Sequence, residues 1–175
     1  MATELSLLIP EFRKKLIETI EATKKRGFHI ETLITLVTPV EQASRWRQGR
    51  SVTDAELKTM ALTHAGAPYL SECMSKSRAK ETNVMTDDLP GCSWHQWGEA
   101  ATIVWVDGNR KLNHSPVFKE RPSNQNGYVV FAEEAVKLGL YMGHFNRVQF
   151  RAESSPTNLY DLRAIDAEMR KRFGR

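Results

Sequence analysis

The sequence predicts an α+β fold, a small antiparallel sheet with helices packed against it. Amphipathic stretches of helical period stand near both ends, at residues 11–25 and 161–173. Short runs rich in β-branched and apolar residues, at 28–38, 100–106 and 147–152, read as strands. With 175 residues, 41% of them hydrophobic, one domain spanning 1–175 can build its own core.

In the first helix, 11–25, Phe12, Leu16, Ile17 and Ile20 share one face, charges fill the other, and Gly27 ends it. The strand at 28–38 is stopped by Pro39, and 40–48 reads as a short helix. Thr53-x-x-Glu56 has the form of a capping box opening a further helix, with Leu57, Met60 and Ala61 as its apolar face. That helix is interrupted at Gly66-Ala67-Pro68 and resumes through Cys73. Residues 79–91 are polar and turn-rich, a loop. The run 100–106 reads as a buried strand closed by the Asp107-Gly108 turn. Residues 109–126 are irregular, 127–138 form a helix closed by Gly139, and 147–152 is the last strand. In the final helix, Leu162, Ile165, Met169 and Phe173 make one stripe, and basic residues occupy the last turn, where they suit the helix dipole.

Composition narrows the function classes. With 26% charged residues, seven Phe and four Trp, nothing marks the chain as disordered. No apolar run approaches the ~20 residues of a membrane span. Residues 1–10 lack a basic n-region and a small-residue cleavage site, so they are not read as a signal peptide. Cys73 and Cys92 make no disulfide framework and are expected as buried free thiols. The net charge of +4 comes from clusters such as Lys24-Lys25-Arg26 and Arg170-Lys171-Arg172. No zinc finger, RNP-type motif or Gly-rich phosphate loop accompanies them, so nucleic acid is not the expected partner.

The most specific motif is Ser93-x-His95-x-x-Gly98-x-Ala100-x-Thr102. It resembles the Ser-x-His-x-x-Gly-x-Ala-x-Asp signature of the zinc DD-carboxypeptidase and L-alanyl-D-glutamate endopeptidase family, which trims peptidoglycan stem peptides. Thr38-Pro39-Val40-Glu41-Gln42 with Trp46-Arg47-Gln48-Gly49-Arg50 resembles an early family element. Gly127-Tyr128, Leu138-Gly139-Leu140 and Val148-Gln149 resemble later ones, in the family's order over about residues 28–172, with 1–27 as an added helical region. The resemblance implies a hedgehog-type fold, with His95 at the concave face of its sheet and two further metal ligands, an Asp and a His. Those two positions correspond to Thr102 and Arg147. The family's substrate-contacting basic residue corresponds to Val37 and its general base to His144, and the segment 143–147 is shorter than the family's.

A hydrolytic zinc site needs three protein ligands and an open position for water. Thr102 offers no anion, and a guanidinium has no lone pair to give. A unit charge about 4 Å from a dication costs on the order of 8 kcal/mol at an effective dielectric of ~20. The pattern therefore predicts a peptidase-like module without catalysis and without cofactor, binding a peptidoglycan fragment, a peptide or a partner protein. Its pocket would draw on Ser93, His95, Trp97, Thr102 and Arg147, with Arg147 either a cation that holds a carboxylate or a side chain that points to solvent from an edge strand while other side chains fill the pocket. In a phage or phage-derived injection system such a module would need no signal peptide. The alternative is an active zinc metallopeptidase cleaving stem peptides through shifted ligands drawn from Cys92, His95, His114 and His144, with His144 as candidate catalytic residue. His144 is expected on the opposite strand face from Arg147. Trp94, Trp97 and Trp105 read as core, with glycan stacking as the other reading. His29 and His64 are not tied to the site, and Ser93 has no partners that would make it a nucleophile.

Overall fold

The computed structural model describes residues 4–78, 83–117, 119 and 123–174. The chain divides into two compact units. One comprises Ala2–Leu36 and Gly98–Ala152, the other Val37–Trp97 and Glu153–Arg175.

The first unit is built on helix α1 (Pro10–Lys25) and an antiparallel sheet. The sheet contains β1 (His29–Ile34), β2 (Ala100–Val106), β3 (Leu112–Asn113), β4 (Tyr141–His144) and β5 (Arg147–Gln149). Strand order is β1-β2-β5-β4, with β3 paired to the far end of β2. Helix α5 (Gly127–Lys137) packs with α1 on one face. Strand alternation decides which side chains meet the helices. Ile30, Ala101, Ile103, Trp105 and Val148 point into a core completed by Phe12, Leu16, Tyr128, Phe131 and Ala135. Trp105, fully buried, packs edge-on to Phe28 and Tyr128 at 5.9 and 6.3 Å. At the end of α1, Arg26 bridges to Glu133 and Glu134 of α5 at 2.6 and 2.8 Å. The α+β class and the antiparallel sheet agree with the sequence prediction.

The predicted strand 28–38 is a strand over His29–Ile34, with a register shift between Thr32 and Ile34, and Leu36 adds a single bridge before Thr38 turns its hydroxyl to cap the next helix. The predicted strand 147–152 ends at Gln149. Strand β3 lies in the stretch read as irregular, and β4 in the stretch between the helix and the last strand to which the sequence assigns no element. β4 forms a tight hairpin with β5, with a bulge between Met142 and His144.

The second unit is helical: α2 (Pro39–Trp46), α3 (Val52–His64), α4 (Pro68–Ser75) and α6 (Leu162–Phe173). α4 packs against the other three. Asp166, buried on α6, accepts a hydrogen bond from the Leu70 N–H at 2.8 Å and so caps α4, whose own N-cap residue Ala67 offers no side-chain acceptor. Ile165 and Met169 are fully buried, whereas Leu162 and Phe173 at the ends of the predicted stripe are half-buried. The capping box of α3 is Ser51 with Asp54, not Thr53 with Glu56. Gly49, at φ +69°, turns the chain ahead of Ser51 and sets the start of the helix. The predicted apolar face of α3 is not buried: Leu57 and Met60 are 61% and 57% exposed, and the helix buries Ala55 and Leu62 instead. Among the described residues no helix is long and apolar enough to cross a membrane.

Candidate functional site

The His motif is a buried, internally braced turn. Residues 91–101 are all buried, and Trp94–Trp97 form one turn of 3-10 helix. The Gln96 side-chain oxygen accepts from the Gly91 and Ser93 N–H groups at 2.8 and 3.4 Å, and the Trp97 indole donates back to the Gly91 carbonyl at 2.9 Å. Two bonds returning to Gly91 close the loop around His95. Gly91 has φ +80°, and a Cβ there would lie 2.3 Å from Ile165, so both conformation and space require glycine.

A later segment of the chain straps this turn. The Trp94 indole donates to the Glu153 carbonyl at 2.7 Å, and the Ser155 hydroxyl donates to the Cys92 carbonyl at 3.0 Å. Tyr160 stacks on Trp97 at 5.0 Å and 7°, while Arg172 lies over the same indole at 5.2 Å and donates to the Trp97 carbonyl. All three tryptophans are thus packing residues, as predicted. Ser155, Tyr160 and Arg172 carried no sequence signal, because what they hold is far away in the chain.

The resemblance places two ligand positions at Thr102 and Arg147. They are register partners on adjacent strands, β2 and β5. Alternation puts both on the sheet face away from α1 and α5, since their neighbours Ala101 and Val148 enter the core. Both are half-buried. Gly143 makes room there: a Cβ on it would lie 2.6 Å from Gln149 Oε1 and 3.0 Å from Arg147 Nε. Immediately before the strand, Glu99 is buried and grips Arg151 through two contacts of 2.5 and 3.3 Å, while the Phe150 N–H donates to the Glu99 carbonyl. This clasp fixes the β2–β5 register that sets Thr102 against Arg147.

His144 is the register partner of Arg147 across the hairpin, yet its side chain belongs elsewhere. It lines a hollow of about 360 Å³ with Tyr128, Met142 and Phe145, against α5. The bulge at Gly143 separates the two side chains, which agrees with the expected opposite faces. His114 is exposed in the loop after β3. His29 is exposed and pairs with Glu31 at 3.1 Å, and His64 is exposed at the end of α3.

Cys92 and His95 belong to the helical unit, and Thr102, His114, His144 and Arg147 to the sheet unit. Burial pushes the Cys92 thiol up to about 12, so a metal there would have to displace a firmly held proton. Among the described residues no three His, Cys, Asp or Glu side chains are grouped so as to hold a metal ion. The chemistry of Thr102 and Arg147 does not fit zinc.

The early element has structural work. Glu41 closes the capping box with Thr38. Gln42 donates to the Asp88 carbonyl at 2.7 Å, and Arg47 to the Ser77 carbonyl at 2.8 Å. Arg50 stacks on Trp46 at 4.3 Å, donates to the Trp46 and Thr86 carbonyls and pairs with Asp87 at 2.6 Å. Val37 is fully buried and brings no charge.

No family model matches the chain. No curated protein matches it either.

Proposed function

We propose that this chain is a non-catalytic, peptidase-like binding module, whose sheet face around Thr102 and Arg147 takes the carboxylate of a peptide or cell-wall fragment. One observation carries the reading: Thr102 and Arg147 are cross-strand neighbours. They lie in motifs far apart in the sequence, and two side chains that share an ion must stand side by side. Directly opposed residues have Cβ atoms about 4.5–5.5 Å apart, which suits two ligands each ~2 Å from one metal. With a hydroxyl and a guanidinium in those places the chemistry changes from coordination to anion binding. A guanidinium holds a carboxylate bidentately, and a neighbouring hydroxyl can add a hydrogen bond.

The test is a set of three measurements on the full chain. Metal analysis of protein purified from zinc-replete medium is expected to find no stoichiometric zinc, and a muropeptide digest no chelator-sensitive cleavage. Titration with stem peptides and their C-terminal amides is expected to show carboxylate-dependent binding that Arg147→Ala abolishes. One zinc per chain with chelator-sensitive cleavage would instead establish a metallopeptidase with shifted ligands. The double change Thr102→Asp, Arg147→His is expected to raise zinc affinity.

A further inference from the structure

On α3 the apolar pattern and the burial disagree. Thr53, Asp54, Leu57, Met60, Ala61 and His64 fall on one face of the helix, and all six are exposed. Leu57 and Ala61 border an open hollow of about 570 Å³, together with Trp46, Arg50, Asp54 and Lys58. The centre of the face is apolar, an acid stands at its N-terminal end and a histidine at its C-terminal end.

We propose that this face is a self-association surface, on which a second copy of the chain lays its own α3 antiparallel about a two-fold axis close to Leu57 and Ala61. The face is complementary to itself in that arrangement. A two-fold axis sets each residue toward the N-terminus of one helix against one toward the C-terminus of the other. Leu57 then meets Ala61 of the second copy, a large side chain over a small one beside the hollow. Asp54 meets His64 of the second copy, and symmetry makes that contact twice. The helix dipoles run in opposite directions, which sets each positive end beside a negative one. A parallel arrangement would instead bring Asp54 to Asp54 and His64 to His64. One helix face is at the small end of specific interfaces, so the dimer is reversible and depends on concentration. The inference does not depend on the binding function proposed above.

Sedimentation equilibrium of the full chain over a concentration series is expected to show a monomer–dimer equilibrium. Leu57→Glu should raise the dissociation constant by about tenfold or more, as loss of a central apolar anchor does. Since Leu57 is already exposed, circular dichroism should find that variant as helical as the parent. His64→Glu should weaken the dimer, more at low salt than at high, and His64→Lys should leave it intact. A chain that stays monomeric at every concentration overturns the proposal and leaves the face to a different protein. A dimer indifferent to Leu57→Glu, or weakened equally by His64→Glu and His64→Lys, overturns it too.

Discussion

Glu99 and Arg151 show how much one side-chain pair can determine at the residue scale. Glu99 is buried, and its two oxygens accept from Nε and Nη2, one edge of the Arg151 guanidinium. Glu99→Gln keeps the shape and removes the charge, and is expected to cost about 1–3 kcal/mol in urea unfolding. The cysteines supply a second prediction. Burial pushes Cys73 up to about 11 and Cys92 to about 12. Both are protonated at pH 8 and should resist iodoacetamide until denaturant is added, when both should react. Their linkage has a definite sign: the unfolded chain releases thiol protons near pH 9 that the folded chain retains. Stability from this source is therefore whole below about pH 9 and falls as pH rises toward 11–12, measurable as a declining urea midpoint. Burial of the tryptophans and thiols was legible from residue type alone. Tyr160 and Arg172 were not, because a brace on a buried turn is defined by its distant partner and leaves no local pattern.

Elements were legible where period and punctuation agreed. β2 has its predicted bounds because an unbroken apolar run ends at Asp107-Gly108, and α1 ends where predicted and starts one residue earlier, at Pro10, because apolar residues repeat at helical spacing before Gly27. α3 shows the limit. Periodicity reports that a helix is two-faced, not which face its neighbours will cover, and here Ala55 and Leu62 are covered while Leu57 and Met60 are not. Its start was misread for a related reason: Ser51-x-x-Asp54 and Thr53-x-x-Glu56 both fit a capping box, and only the turn before Ser51 decides. Ser51→Ala is accordingly expected to cost about 1 kcal/mol, and Thr53→Ala much less, in thermal melts followed by circular dichroism. β4 was missed because four residues containing a glycine carry no usable alternation. The start of α5 supports a stronger prediction. A Cβ on Gly127 would sit 2.6 Å from the Trp105 ring, so Gly127→Ala should destabilise by about 1–3 kcal/mol in chemical unfolding.

At the scale of the whole molecule, neither unit is a continuous stretch of chain: the path changes unit after residues 36, 97 and 152. A fragment of residues 37–97 would lack α6, and with it Ile165, Met169 and the Asp166 cap on α4. It is expected to unfold without cooperativity in calorimetry. The candidate site was legible only as a set of correspondences. Motif order could name Thr102 and Arg147, but their adjacency is a matter of strand register, which depends on the hairpin, its bulge and the Glu99 clasp together. The arrangement of the sheet also governs when it can form. β1, β3 and β5 all pair with β2. On a ribosome β1 therefore emerges long before its partner strand exists, with its backbone donors and acceptors exposed. Every early chain must keep that hydrogen-bonding edge solvated until residue 106 has left the exit tunnel. Stalled or truncated translation products that stop short of β2 are then the species most prone to aggregate.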